Sequence, residues 1–245
     1  MSCWGDMPSK QAAIESVVEG RRLLLGIDTC GPSGSVALGR LSEGRIEVLD
    51  QTELAGRSYS ATLVSAVDDL LAKAGARLGQ IQALVAVPGP GSFTGVRVGL
   101  SAVKGLAEPS AIPVTAVSRL AVLAEKTGVF WAALDAHRHE VFLRIAPQGA
   151  ESREVLAGAS ELAALEPPSR IAVCDEAAAE LLRSAWPAVE LIQSVAPTAA
   201  DALHLALPRI LARDFVDLAL LDGHYLRRSD AEIFGDPAAR PVERV

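Results

Sequence analysis

Residues 88–97 read Pro-Gly-Pro-Gly-Ser-Phe-Thr-Gly-Val-Arg, and they separate an apolar run at residues 83–87 from a helix-like run at residues 96–107. The apolar run predicts a buried strand, and the glycines and prolines predict a rigid turn after it. Ser92 and Thr94 are candidate caps for the helix that follows. A helix N-terminus of this kind presents free N–H groups to an anion or to the backbone of a partner. The loop residues that we single out are Pro88, Gly89, Gly91, Ser92, Phe93, Thr94, Gly95 and Arg97.

The spacing of this loop matches neither of two common nucleotide-binding motifs. Gly89, Gly91 and Gly95 are spaced G-x-G-x-x-x-G, whereas the dinucleotide-binding fingerprint is G-x-G-x-x-G. A phosphate-binding P-loop ends in Gly-Lys-Ser/Thr, and here Gly105 is followed by Leu106. The spacing alone does not decide between a tight turn without a ligand and a binding loop. Arg97, one turn into the helix, is a candidate to bind an anion or to brace the loop against a carboxylate.

As a string of residues, the loop resembles the signature of the bacterial TsaB (YeaZ) family, a subunit of the machinery that makes threonylcarbamoyladenosine in transfer RNA. Residues 24–29, 34–38, 134–142 and 225–227 resemble further segments of that family, in the same order along the chain. The sequence departs from the family at Tyr59-Ser60, where relatives often have His-Ser or His-Thr. Residues 1–21 resemble nothing in it.

Hydrophobic periodicity predicts the fold class independently of the resemblance. Three strands over residues 23–49 are followed by a helix at 60–74, a strand at 81–87, a helix at 94–107 and a strand at 112–117. This is the order of a ribonuclease-H-like unit, and a degraded version of it follows. Two such units in tandem form the α/β architecture of actin-like (ASKHA) ATPases, with mixed sheets flanked by helices, which the resemblance also implies. We expect a disordered extension at residues 1–21, a first unit at 22–118, a second unit at 119–228 and a tail at 229–245.

Composition narrows the functional classes. The net charge of -7 and the pI near 5.2 argue against a large RNA-binding face of the chain's own, so we expect contact with tRNA only through a complex. Cys3, Cys30 and Cys174 form no Cys-x-x-Cys pair and are expected to be reduced thiols. The sequence shows neither an apolar stretch that could span a bilayer nor a secretory signal. These features predict a cytoplasmic protein without a membrane partner.

Chemistry-bearing residues are few. Asp28 in the first half and Asp135 in the second occupy the places of the two hairpin carboxylates of actin-like ATPases. These two residues and Thr29 are candidates for a residual nucleotide and Mg²⁺ site. A glycine-rich adenosine loop is not visible, so we expect no tightly bound cofactor, and ATP with Mg²⁺ only within a complex. His137 and His139 are interpreted as a solvated turn, and the His-x-x-x-His metal motif of the family's catalytic relatives does not occur. We therefore predict no metal site and no catalytic residue in this chain.

The helix after the loop carries a stripe of small residues at Gly95, Gly99, Ala102 and Gly105. Such a stripe packs closely either on the chain's own sheet or on a helix of another subunit, and the resemblance favours the second. On this interpretation, Val67→Glu or Gly99→Arg is expected to block partner binding and to leave the fold intact. The predicted interface comprises Leu63, Val64, Val67, Leu71, Gly95, Gly99, Ala102 and Val103.

The resemblance implies a non-catalytic subunit that pairs with and activates a TsaD-like threonylcarbamoyltransferase. It also implies a TsaE-like ATPase as a further partner, and a homodimer when the chain is alone. The alternative is a free-standing actin-fold ATPase, small-molecule kinase or peptidase-like hydrolase that uses Asp28 and Asp135 with Mg²⁺. A homodimeric binding module is a third interpretation.

Overall fold

A computed structural model describes residues 22–56, 58–147 and 149–227. The predicted N-terminal extension (residues 1–21) and C-terminal tail (residues 229–245) lie outside the described residues. Within them, the chain forms two five-stranded mixed sheets flanked by helices. In the described part of the chain, no helix has the length and apolarity to cross a membrane.

The first sheet has the strand order β3-β2-β1-β4-β5. Strands β1 and β4 pair in parallel, and so do β4 and β5, whereas β1–β2 and β2–β3 are antiparallel. Every residue of β1 after the first is buried, and most of these side chains belong to the main hydrophobic core. The elements of this unit are β1 (Arg22–Asp28), β2 (Ser33–Ser42), β3 (Arg45–Ala55), α1 (Tyr59–Lys73), a 3₁₀ turn (Leu78–Gln80), β4 (Ile81–Ala86), α2 (Phe93–Ser110) and β5 (Val114–Ala116).

The second sheet repeats this topology, with the order β10-β9-β6-β7-β8. Its first three strands form an antiparallel meander, and β9 and β10 add to it in parallel. The predicted fold class, two tandem ribonuclease-H-like units, is confirmed. The second unit is complete in strand order. Its elements are β6 (Ala132–Asp135), β7 (Val141–Ile145), β8 (Arg153–Ala157), α4 (Ala159–Ala163), β9 (Arg170–Val173), α5 (Glu176–Ala185) and β10 (Glu190–Gln193).

Two helices are exchanged between the units. Helix α3 (Arg119–Thr127) follows the first sheet but packs on β6, β7 and β9 of the second. Helix α6 (Ala199–Leu211) follows the second sheet but packs across the first, where Ala202 and Leu203 join the main core. The range predicted as the second unit, residues 119–228, therefore contributes a helix to the first unit.

Close backbone contact fixes α6 on the first sheet. A Cβ at Gly26 would lie 2.7 Å from the carbonyl oxygen of Ala199, so only glycine fits beneath the helix. The amide of Ala199 donates to Ser35 Oγ at 2.8 Å. Lys126 on α3 pairs with Asp201 on α6, with 2.7 Å between Nζ and Oδ2. The two exchanged helices are thereby also linked to each other.

Candidate functional site at loop 88–97

The loop between β4 and α2 is held against the turn that joins β1 to β2. The amide of Ser92 donates to the carbonyl oxygen of Cys30 at 2.7 Å, and Cys30 Sγ donates to the carbonyl oxygen of Val87 at 3.1 Å. A Cβ at Gly91 would lie 2.2 Å from the same Cys30 oxygen. The loop and the turn therefore approach so closely that a side chain at position 91 is excluded. Burial is the main reason that the pKa of the Cys30 thiol is raised, which leaves it a structural donor.

The first two glycines of α2 face the same turn. A Cβ at Gly95 would lie 2.0 Å from the carbonyl oxygen of Thr29, and one at Gly99 would lie 2.2 Å from Thr29 Oγ1. Thr29 Oγ1 also donates to the carbonyl oxygen of Gly95 at 2.7 Å. These glycines pack on the chain's own sheet, the simpler of the two interpretations of the stripe. Gly105 differs, because a Cβ there would meet no heavy atom within 4 Å.

The N-terminus of α2 carries a stacked cluster of exposed side chains. Ser92 is the N-cap, and its Oγ accepts from the amide of Gly95 at 3.3 Å. The Arg97 guanidinium lies 3.7 Å from the centroid of the Phe93 ring, and the Tyr225 ring lies 5.0 Å from Phe93. Arg97 thus makes a cation–π contact with Phe93. The sequence had predicted an anion or a carboxylate as the partner of Arg97.

Asp28 is buried in an ion pair. Its Oδ2 lies 3.2 Å from Arg119 Nε, and its Oδ1 accepts from the amide of Cys30 at 2.8 Å. The side chains of Asp28 and Arg119 are only 2% and 6% exposed, so water does not reach the pair. Burial works to lower the pKa of Arg119, but the negative charge of Asp28 opposes it and the pKa is raised. Both carboxylate oxygens of Asp28 are therefore engaged within the chain, one by the Cys30 amide and one by Arg119 at the start of α3.

Tyr59 braces the same turn. Its hydroxyl donates to the carbonyl oxygen of Gly31 at 2.8 Å, and the residue is buried. Burial, and then the nearby charge of Asp28, raise the pKa of Tyr59 to about 12. Tyr59 is thus a neutral structural donor that holds the turn in place.

Asp135, the matching carboxylate of the second unit, is also used locally. Its Oδ1 accepts from the amide of His137 at 2.7 Å, and its Oδ2 lies 2.8 Å from His137 Nδ1. His137, Arg138 and His139 all have positive φ, which makes a tight exposed turn. Among residues 22–56, 58–147 and 149–227, no group of three or more His, Cys, Asp or Glu side chains is arranged to hold a metal ion.

Most of the predicted interface lies inside the chain. Val64, 55% exposed, is at the surface, and Ala102 is partly buried. The expectation that Val67→Glu or Gly99→Arg leaves the fold intact is corrected, because Val67 is 1% exposed and Gly99 touches Thr29. The other buried members of the predicted set are Leu63, Leu71, Gly95 and Val103.

Sequence reasoning missed the two residues that connect the units. Ser118 Oγ lies 2.7 Å from both carboxylate oxygens of Glu154 in the second unit, and its neighbour Arg119 binds Asp28 in the first. One dipeptide in the linker thus holds a carboxylate from each unit. A buried Asp after an apolar strand signals the need for a cation, but nothing in the sequence indicates that the cation lies 91 residues away.

Comparison with known proteins agrees with this architecture. Residues 47–200, more than half of the chain, match the family model described as TsaD, tRNA N6-adenosine threonylcarbamoyltransferase. The tRNA threonylcarbamoyladenosine biosynthesis protein TsaB of Haemophilus influenzae is 38% identical over 125 residues, which is 49% of this chain and 51% of that protein. The Escherichia coli TsaB is 37% identical over 125 residues, which is 49% of this chain and 52% of that protein. The aligned region spans about half the length of these curated relatives.

A solved structure extends the similarity over more of the chain. A Pseudomonas aeruginosa protein described as similar to peptidase YeaZ superposes with a TM-score of 0.69 at 31% identity. The superposition covers 84% of this chain and 100% of that one.

Proposed function

The chain belongs to the TsaB (YeaZ) family, and from this premise we propose that it is a non-catalytic subunit in the synthesis of threonylcarbamoyladenosine in tRNA. It pairs with and activates a TsaD-like threonylcarbamoyltransferase, and a TsaE-like ATPase joins the complex. ATP and Mg²⁺ bind only within that complex, and tRNA is contacted through it. Alone, the chain forms a homodimer.

The buried pair of Asp28 and Arg119 is the observation that supports a non-catalytic role for this chain. An actin-like ATPase needs its hairpin carboxylates turned toward Mg²⁺ and phosphate, where oxygen ligands are required. Here Asp28 is 1% exposed and pairs with an internal guanidinium, and both oxygens of Asp135 contact His137. The same observations weigh against the free-standing ATPase, kinase or hydrolase.

The outer surface of α1 and α2 supports the proposal that the chain pairs with a TsaD-like protein. The two helices pack side by side, and several of their exposed residues are small. Glycine inside a helix costs up to about 1 kcal/mol relative to alanine. The chain's own packing does not explain Gly105, because a Cβ there meets open space. Close approach of a partner helix would explain it. The small exposed residues are Ser60, Ala61, Ser65 and Ala72 on α1, and Ser101, Gly105 and Ser110 on α2.

Co-purification of the tagged chain with the TsaD-like protein of the same host tests the proposal. Gly105→Arg places a long side chain on the outer face of α2 without an internal clash, so we expect it to abolish the complex. Ser184→Arg is the matched control, because Ser184 is an exposed residue of α5 in the second unit. We expect the control to retain the complex, and we expect neither variant to melt at a lower temperature than the wild type.

Three results would contradict the proposal. The first is no complex, with or without ATP and the TsaE-like ATPase. The second is a complex that Gly105→Arg leaves unchanged, which would refute the assigned surface. The third is ATP or peptide hydrolysis by the pure chain that depends on Asp135, which would favour a free-standing enzyme.

A further inference from the structure

A cavity of about 680 Å³ lies between the two units, beneath residues 216–224. We call these residues the arch, because the chain is tied down at both of its ends. The amide of Val216 donates to the carbonyl oxygen of Val114, and the amide of His224 donates to that of Pro88, both at 2.8 Å. The volume falls within the range of about 300–1,000 Å³ that is typical of small-molecule sites.

The floor of the cavity is polar, and its charged side chains, Glu154 and Arg144, neutralise each other. Glu154, whose side chain is 7% exposed, is contacted by Ser118 and also by His224 Nε2, at 2.9 Å from its Oε2. Arg144 Nη1 lies 3.4 Å from Glu154 Oε1, so the positive charge of Arg144 already opposes that carboxylate. The floor thus offers no uncompensated cation to an anionic ligand.

The arch supplies apolar side chains and two acidic ones. Leu221, which is buried, and Val216, which is partly buried, line the cavity together with Leu220, which is 80% exposed. Asp217 and Asp222 also line it, and each uses one carboxylate oxygen to accept a local amide, from Ala219 at 2.9 Å and from Gly223 at 2.7 Å. Within the described residues, neither carboxylate has a basic partner. The charge left uncompensated at the cavity is therefore negative.

We propose that this cavity binds a small organic cation, an ammonium group carried on an apolar body. The apolar body packs against Val216, Leu220 and Leu221, and the ammonium group lies at the carboxylates of Asp217 and Asp222. An anion of the same shape is rejected, because it would face two unpaired carboxylates. This inference does not depend on the proposed role in tRNA modification.

Three probes with one apolar body and different charges test the proposal on the full chain. Cyclohexylammonium, cyclohexanol and cyclohexanecarboxylate are titrated at constant ionic strength, and amide chemical shifts are followed by NMR. We expect saturable shifts at residues 216–224 for the ammonium probe, with a dissociation constant on the order of 1 mM, as befits a small fragment. We expect binding of the carboxylate probe to be weaker by roughly tenfold or more. Equal or tighter binding of the carboxylate, or no saturable shift with the ammonium probe, would overturn the proposal.

The double variant Asp217→Asn/Asp222→Asn locates the charge. Asparagine keeps the oxygen that accepts the local amide, so the arch retains its shape while both charges are removed. We expect this variant to bind cyclohexylammonium no better than cyclohexanol. The control Asp68→Asn/Asp69→Asn removes two exposed charges from α1 and should keep the preference of the wild type.

An undiminished preference in the first variant, or an equal loss in the control, would refute the assigned site. Should the double variant fail to fold, the single variants Asp217→Asn and Asp222→Asn are read separately. Each is expected to weaken the preference for the ammonium probe, and an unchanged preference in both refutes the site.

Discussion

At the scale of single residues, the glycines of α2 have two different physical roles. Gly95 and Gly99 leave room for Thr29, whose backbone and hydroxyl would lie 2.0–2.2 Å from a Cβ at these positions. Gly105 leaves room for nothing within the chain. Residues three and four apart share one side of a helix, so the sequence could predict the stripe. It could not predict which members face inward, because the turn that they contact lies some 70 residues earlier.

Alanine substitutions at two of these glycines are expected to shift stability in opposite directions. Gly99→Ala overpacks the contact with Thr29 and should lower the free energy of unfolding by about 1–3 kcal/mol. Gly105→Ala adds a methyl group in open space and improves helix propensity, so this substitution should raise the free energy of unfolding by up to about 1 kcal/mol. Urea unfolding of the two variants measures both changes. A destabilised Gly105→Ala protein would show that this position is packed.

Tyr59 is expected to make stability sensitive to alkaline pH. Its pKa in the folded chain is about 12, against an ordinary value of 10.0, so the unfolded state loses the phenolic proton first. The contribution of Tyr59 to stability is therefore complete below about pH 10 and is lost as the pH rises toward about 12. Tyr59→Phe cannot ionise and should show a shallower alkaline loss, although it lacks the hydrogen bond to Gly31.

Unfolding by urea at pH 8 and at pH 11 would measure this difference in slope. Tyr225→Phe is the matched control, because Tyr225 is the other tyrosine and its ring is exposed. The control should retain the wild-type slope. Equal slopes for Tyr59→Phe and the wild type would contradict the assignment.

At the scale of elements, the turn between β1 and β2 depends on a residue of α3. Arg119 pairs with Asp28 at the end of β1, and its guanidinium also packs against Gly31, where a Cβ would lie 2.4 Å from Nη2. The same turn supports Gly91, Gly95 and Gly99 of the loop and α2. The start of α3 is therefore part of the framework of the loop, although it is far away in sequence.

Removal of Arg119 is expected to be strongly destabilising. Arg119→Met keeps the side-chain volume but leaves the buried carboxylate of Asp28 without a cation, which costs about 3–5 kcal/mol. The double variant Arg119→Met/Asp28→Asn removes both charges and should recover part of this loss. Chemical unfolding of the wild type, both single variants and the double variant gives the coupling energy. Additive effects of the two substitutions would show that the ion pair contributes nothing.

Strong hydrophobic periodicity made most elements predictable, and its absence explains the two that were missed. The sequence predicts α1 as residues 60–74, and the helix spans Tyr59–Lys73. Strand β10 (Glu190–Gln193) was not predicted, because Leu191 and Ile192 are flanked by polar residues and are only partly buried. Helix α4 has five residues, too few to show a helical period. The sequence predicts α2 as residues 94–107, and the helix spans Phe93–Ser110 with Pro109 in its last turn.

At the scale of the whole molecule, the two units are complete only together. Helix α3 follows the first sheet and covers the second, and α6 follows the second sheet and covers the first. The sequence could not show which sheet α6 covers, because the small and aliphatic side chains of this helix fit either sheet. The boundaries 22–118 and 119–228 therefore describe the sequence repeat better than they describe the packing.

This exchange predicts that the first unit does not fold without α6. A chain that ends at residue 197 uncovers a face of the first sheet that α6 covers with Leu203 and Ile210 and three small residues. Each large aliphatic side chain contributes about 1.5–3 kcal/mol when it is buried, and the net stability of a domain is only about 5–15 kcal/mol. We expect the shortened chain to lose dispersed amide shifts at residues 22–118, and a peptide of residues 196–227 to restore them. A chain that ends at residue 227 is the control and should retain the wild-type spectrum. Dispersed amide shifts at residues 22–118 in the chain that ends at residue 197 would instead show that these residues are an independent domain, because burial of α6 would then be dispensable for the first sheet.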